Sequence, residues 1–289
     1  MNSTQAPSDV MSRPSEHKWD HSKHPGYGGV KEHEAKIIKE FEDNMPPQEE
    51  ASTLVLSFKE QFFDEEYEII IQRGDLDNSL VDEYINKPYL FVDTETKGLN
   101  PRRDRLKSIQ LLAHGGHKVS LILPHLTRGW ANTDNLWKVF THGEKNFPAV
   151  VAHYAPFDLA MLYLNIGDFA SKRHAFCTRA ASKIIRTYSG SHSLKDVVKE
   201  YLGVDMDKSF QTIDWNALDR VTKKEFPNDL MPAIEYACMD VIVLPRIVER
   251  FAAEAAKDPI KFEALYQIMS TIPGTAWLNA YEYADALVR

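Results

Sequence analysis

The stretch His114-Gly115-Gly116-His117 lies between two apolar runs, Leu106 to Ala113 and Lys118 to Leu123, and it constrains the chain more than any other local feature. Tight hairpin turns need positive φ, which glycine reaches without steric cost, so paired glycines between strand patterns commit both runs to one antiparallel hairpin. Downstream the pattern becomes strand-helix alternation. Val150 to His153 reads as a strand and Pro156 to Asn165 as a helix, with Pro156 suited to the first helical position. A further helix is expected after Thr178. Ser193-Leu194-Lys195-Asp196 has the form of a capping box ahead of Leu194, Val197, Val198, Tyr201 and Leu202 at helical spacing, with Gly203 as the stop. The last long helix is expected from about Pro232 to Ala256, kinked at Pro245, where a backbone donor is lost. Upstream, Thr53 to Phe58, Tyr67 to Ile71 and Tyr89 to Val92 read as strands, and Asp75 to Asn86 as a helix carrying Leu76, Leu80, Val81 and Tyr84. A hairpin followed by such alternation predicts an α/β domain with a mixed sheet.

Composition narrows the class. With 43% hydrophobic and 26% charged residues the chain is neither collagenous nor wholly disordered. No apolar run approaches the ~18 residues of a membrane span, and the N-terminus lacks the apolar segment of a secretory signal. Cys177 and Cys238 are too few for a disulfide framework. The expectation is an intracellular, cytoplasmic or other nucleic-acid-bearing compartment, not secretion. A net charge of −8 argues against a passive polyphosphate binder, but not against a nucleic-acid enzyme whose acids hold metal ions. Residues 1–50 carry five prolines and little periodic apolar pattern, so they read as a disordered polar tail, with one isolated helix at Lys31 to Phe41. His17, His21, His24 and His33 lie there without a thiol or carboxylate framework and read as part of that tail. The expected organisation is a tail at 1–50, a domain at 51–255 and a helical appendix at 256–289.

Three segments carry the chemistry. In Leu90-Phe91-Val92-Asp93-Thr94-Glu95 a buried strand runs into Asp-x-Glu, and the two-residue period puts both carboxylates on one face. In Val150-Val151-Ala152-His153-Tyr154-Ala155-Pro156-Phe157-Asp158 a second strand ends and an aspartate enters the first turn of a helix. In Tyr236-Ala237-Cys238-Met239-Asp240 the tyrosine and aspartate are i and i+4 on one helical face. Each alone has an ordinary explanation: solvated acids at a strand end, compensation of a helix dipole, a buried Tyr-Asp bond.

Together they resemble the 3′–5′ exonucleases of the DnaQ-like, RNase H-fold superfamily, on the motifs VDTETKGL, VAHYAPFD and YACMD. The resemblance spans roughly residues 66 to 250, and LKDVVKEYLGVDMDKSFQTIDW is similar to the block before the third motif in ribonuclease D and some polymerase-associated exonucleases. The third motif is of the tyrosine type, because Glu235 stands where the other subgroup has histidine; this is the DEDDy subgroup. The resemblance implies an RNase H-like mixed five-stranded sheet flanked by helices. It implies Asp93, Glu95, Asp158 and Asp240 as carboxylates for two divalent cations, Mg²⁺ or Mn²⁺, which prefer hard oxygen ligands. In that scheme Asp93 bridges both ions, Glu95 and Asp240 complete the first, Asp158 supports the second through water, and Tyr236 orients the attacking water.

The same resemblance implies substrate contacts at Thr94, Thr96, Leu99, His153, Tyr154 and Phe157, Leu99 as an apolar wedge against the terminal base. Relatives commonly carry asparagine where this chain has Tyr154, which either stacks on a base or fills the pocket wall. Arg102, Arg103, Arg105 and Lys107 form one candidate phosphate-guiding run, and Lys172, Arg173, Arg179, Lys183 and Arg186 a second. The implied activity is removal of 5′-mononucleotides from single-stranded or frayed DNA 3′ ends, with a separate DNA polymerase or other replication protein as partner in proofreading. Ribonuclease D-like trimming of RNA 3′ ends is the enzyme alternative, and a catalytically silent nucleic-acid-binding adaptor the alternative of another class.

Overall fold

In the computed structural model, residues 53–59, 63–101, 103–141, 149–167, 175–188, 190–206, 215–221 and 227–267 are described. The expected tail at 1–50, its histidines and its isolated helix lie outside them, as do Arg102, Lys172, Arg173 and most of the 256–289 appendix.

The strands are β1 (Leu54–Lys59), β2 (Glu66–Arg73), β3 (Tyr89–Thr96), β4 (Leu106–Ala113), β5 (Lys118–Leu123), β6 (Ala149–Ala152) and β7 (Ala175–Cys177). They form one sheet in the order β1-β2-β5-β4-β3-β6-β7. The β4–β5 hairpin forms as the glycine pair dictates, antiparallel, with Gly115 at φ 68°. β3 is antiparallel to β4 but parallel to β6, and β2 is parallel to β5, so the sheet is mixed. The five-stranded expectation is corrected to seven. β1 adds an antiparallel edge beside β2, and the three-residue β7, too short to show a pattern in sequence, extends the other side beside β6.

Among the described residues, seven α-helices cover the two faces: α1 (Asn78–Ile85), α2 (Asp134–Thr141), α3 (Ala155–Asn165), α4 (Thr178–Ile185), α5 (Leu194–Leu202), α6 (Met231–Ile242) and α7 (Leu244–Ala255). Alternate strand side chains point to opposite faces, and the core divides accordingly. Leu90, Val92, Ile109, Leu111 and Ile122 pack with Leu80, Tyr84, Leu136, Phe140, Leu159 and Leu162 of α1, α2 and α3. Phe91, Leu112, Val119, Leu121, Ile69 and Ile71 pack with Ala181, Val197, Ile234, Ala237, Val241, Ile247 and Phe251 of α4 to α7.

Capping follows the sequence. Ser193 Oγ accepts from Asp196 N at 3.2 Å, and α5 stops at Gly203 in the left-handed region. The expected single helix from Pro232 to Ala256 is instead two, α6 and α7, parted at Val243. Pro245 lacks the N–H that would continue the ladder, so the chain bends there, as expected, with Val243 still in the right-handed helical region at φ −78° and ψ −23°. Two polar anchors, one half-buried and one buried, give no strong sequence signal. Asp75 accepts from the backbone of Asn135 and Leu136 at 2.8 and 2.9 Å and so holds the start of α2. The Arg73 guanidinium donates to the carbonyls of Leu218, Val221 and Pro124 at 2.6–2.9 Å, fixing the 3₁₀ turn Trp215–Arg220 against the sheet.

Candidate active site

β3 and β6 run parallel, so both end at the same edge of the sheet, where ligands bind in open α/β folds. Asp93 and Glu95 share the face of Phe91, which is the face α6 covers. Tyr236 and Asp240 lie one turn apart on α6 and meet them there. Thr94, of opposite parity, shares the face of Leu90 and Val92, beneath α3. Its hydroxyl donates to Asp158 Oδ1, in the first turn of α3, at 2.7 Å.

Asp93, Glu95 and Asp240 are half-buried, and one ligand oxygen from each lies within 4.8 Å of the others. Such crowding of like charge in partly dry surroundings disfavours ionisation. The Asp93 carboxyl is pushed well above the usual carboxylate range by burial, then by Asp158, Asp240 and Glu95. Glu95 is pushed well above its range by burial, Asp240 and Asp158. Asp158 is raised to about 7 by burial, with the Thr94 hydroxyl opposing the rise. Three convergent oxygen donors with unrelieved repulsion fit a hard divalent cation, which removes the repulsion by binding. The Tyr236 hydroxyl is pushed far above its ordinary value by burial and then by Asp240, so it stays protonated at neutral pH.

A cleft of about 610 Å³ opens at this cluster, lined by Asp93, Tyr236 and Asp240 together with His153, Tyr154, Arg179, Lys183 and residues 190–194. The remaining expected contacts are distributed unevenly. His153 lines the cleft, but its ring bridges Thr178 Oγ1 at 2.9 Å and the His192 carbonyl at 3.0 Å, tying the end of β6 to α4 and to the loop. The Thr94 side chain is buried and committed to Asp158. Thr96 Oγ1 donates to the Gly98 carbonyl at 2.6 Å just past a register shift in β3, and Leu99 is 85% exposed. Phe157 is half-buried against the α3 side of the core. Tyr154 caps α3 in the left-handed region, at φ 90°, with a half-exposed ring.

The candidate cation runs need correction. Arg186 is buried, paired with Glu200, and donates to the Ser191 carbonyl, so it braces the loop and does not face a strand of nucleic acid. Lys107 pairs with Asp219 at 3.8 Å. Arg179 and Lys183, by contrast, line the cleft. Sequence reading missed Ser108 and Gln110, which lie in register opposite Glu95 and Asp93, fully buried, with the Gln110 amide donating to Ser108 Oγ at 2.8 Å. Two polar residues at period two within an apolar strand were the available signal.

Residues 67–255 match the family model described as 3′–5′ exonuclease. The chain is 33% identical over 159 residues to DNA polymerase I of Aquifex aeolicus, a stretch covering 55% of this chain and 23% of the polymerase. It therefore spans about a quarter of that relative. Among solved structures it is similar to Brucella melitensis NrnC bound to pGG, with 29% identity, a TM-score of 0.62 and coverage of 75% of this chain and 95% of that one. A Mg²⁺-bound form of the same nuclease matches at 28% identity, TM-score 0.61 and the same coverage. Escherichia coli RNase D shares the fold, at 20% identity and TM-score 0.55, over 73% of this chain and 50% of that one.

Proposed function

We propose, from the premise that the chain belongs to the 3′–5′ exonuclease family, that it is a tyrosine-type, two-metal member that releases 5′-mononucleotides stepwise from single-stranded or frayed DNA 3′ ends. The observation that carries this reading is the convergence of Asp93, Glu95 and Asp240, with Asp93, Asp240 and Tyr236 lining a cleft that also holds Arg179 and Lys183.

Asp93, Glu95 and Asp240 would hold one divalent cation, and Asp158, steadied by Thr94, would support a second. Bound divalent cations would supply a water of lowered pKa and neutralise charge building on the leaving oxygen. Tyr236, kept protonated by its buried and anionic surroundings, holds that water by hydrogen bonding and does not act as a base. Water adds at phosphorus as the bond to the 3′ oxygen of the preceding nucleotide breaks, leaving a 5′-mononucleotide and a new 3′-hydroxyl. Leu99, exposed just past the end of β3, would splay the terminal base from its neighbour. Pairing opposes entry, because opening a base pair costs roughly 1–2 kcal/mol of stacking.

The 33% identity to DNA polymerase I favours DNA. A second reading, short RNA 3′ ends, is favoured by the match over 95% of an NrnC chain that binds pGG. Digestion of 5′-labelled single-stranded DNA, a mismatched primer, a paired primer and RNA of the same sequence separates the two. A ladder shortening from the 3′ end, lost in EDTA and fastest on single-stranded DNA, is expected. Faster digestion of RNA would establish the second reading, and cleavage of a 3′-blocked strand would overturn both.

A further inference from the structure

Within the cleft the exonuclease reading gives the carboxylates and Tyr236 defined roles, but gives the cations no defined place along the strand. There the guanidinium of Arg179 lies over the Tyr154 ring, 4.6 Å from its centroid. Lys183 follows one turn later on the same face of α4, and both cations line the cleft that holds Asp93, Tyr236 and Asp240. Several cations elsewhere on this acidic chain are paired: Arg186 with Glu200, Lys195 and Lys199 with Asp205, Arg220 with Asp229, Arg246 with Glu65. Among the described residues neither Arg179 nor Lys183 makes an ion pair. Tyr154 holds its place in a backbone conformation that tyrosine rarely adopts. Two cations with no ion pair among the described residues, in one cleft with an anionic cluster, leave room for a ligand that carries its own negative charge.

We infer that Arg179 and Lys183 bind successive phosphates of the strand just upstream of the scissile linkage, with the Tyr154 ring holding the Arg179 guanidinium on the wall. This rests on the exonuclease reading and adds to it the path of the strand: along α4, away from the carboxylates. Residues four apart on a helix are separated by about 6 Å of rise, comparable to neighbouring phosphates in an extended strand. The planar guanidinium keeps edge donors for a phosphate while its face rests on the ring. The ring also keeps the guanidinium away from the carboxylates, which it would otherwise neutralise in competition with cations. Arg179 and Lys183 are thus positioning residues for the strand.

The test is single-turnover cleavage of a single-stranded oligodeoxynucleotide by excess full-length protein with Mg²⁺, across a salt series. For a single strand, each phosphate contact contributes about 0.7 to the slope of log affinity against log salt. Arg179→Ala and Lys183→Ala should each lower that slope by about 0.7, and the double variant by about 1.4, while the maximal rate stays within about three-fold. Replacing phosphates one at a time with neutral methylphosphonates should weaken half-saturation for the wild type at two adjacent positions. Each variant should have lost its sensitivity at one of them. Tyr154→Asn, which keeps the left-handed backbone without the ring, should weaken half-saturation about 2- to 5-fold with the slope unchanged, and Tyr154→Phe should restore it. An unchanged slope in both alanine variants, or methylphosphonate sensitivity retained at both positions, would overturn the inference. Absence of cleavage by the wild type would instead bring down the exonuclease reading, and this one with it.

Discussion

The Thr94 hydroxyl reaches Asp158 Oδ1 at 2.7 Å, joining a residue whose strand neighbours Asp93 and Glu95 face α6 to an aspartate on the other side of the sheet. Through it, carboxylates borne on opposite faces arrive at one edge. The bond also restrains the Asp158 carboxyl, which burial raises to about 7.

A pH dependence follows. A carboxyl raised in the folded protein holds a proton that the unfolded chain releases, so the folded state binds more protons between the two pKa values. Stability of the metal-free protein should be greatest near pH 4 and should fall as pH rises to about 7, where Asp158 ionises; Asp93 and Glu95, shifted in the same direction, add to the decline. Thermal unfolding in EDTA from pH 5 to 8 checks this. Mg²⁺ or Mn²⁺ should restore more stability at pH 8 than at pH 5. A flat profile would contradict the crowding described above.

Removal of one carboxylate should separate stability from activity. Asp240→Ala relieves repulsion and should leave the metal-free melting temperature unchanged or raised by a few degrees. Cleavage should drop at least about 10³-fold, since metal-assisted charge stabilisation supplies several kcal/mol. Calorimetry and single-turnover cleavage measure the two halves independently.

Tyr236→Phe keeps the ring in its buried place and removes only the hydroxyl. A loss of about 10²-fold in single-turnover rate is expected, with metal affinity nearly unchanged, as befits a group that orients water. An unaltered rate would make Tyr236 a packing residue.

Tyr154→Gly should be neutral to stabilising, by up to about 1 kcal/mol, because glycine reaches φ 90° without the penalty a tyrosine bears. The same variant should cleave more weakly. Chemical denaturation beside half-saturation measurements would show the trade, and a clear destabilisation would mean that the ring is needed for packing.

Most of the site was legible because its chemistry is written in short segments. A strand's period puts Asp93 and Glu95 on one face, a helix turn does the same for Tyr236 and Asp240, and Gly115 and Gly116 mark the hairpin; the roles given to those four came from the resemblance of the motifs taken together. What was not legible depends on tertiary burial. Arg186 reads as one more surface cation, yet it is enclosed with Glu200. Arg73 sits in an apolar strand and bonds carbonyls far along the chain. β7 is three residues long, set by the strand beside it and not by its own pattern. The left-handed Tyr154 was invisible for a similar reason: no tyrosine announces positive φ, although the asparagine common in relatives tolerates it.

The site is also strongly non-local. Asp93 lies on a central strand, Asp158 on a helix after a crossover, and Asp240 on a helix near the end of the matched segment, so no short fragment carries the full set. Loop closure makes such distant pairings slow, and they are completed only when sheet and flanking helices dock. During refolding, secondary structure should therefore return well before nuclease activity. A partly folded chain would not hold the assembled carboxylate cluster, so degradation of nucleic acid is confined to molecules that have finished folding.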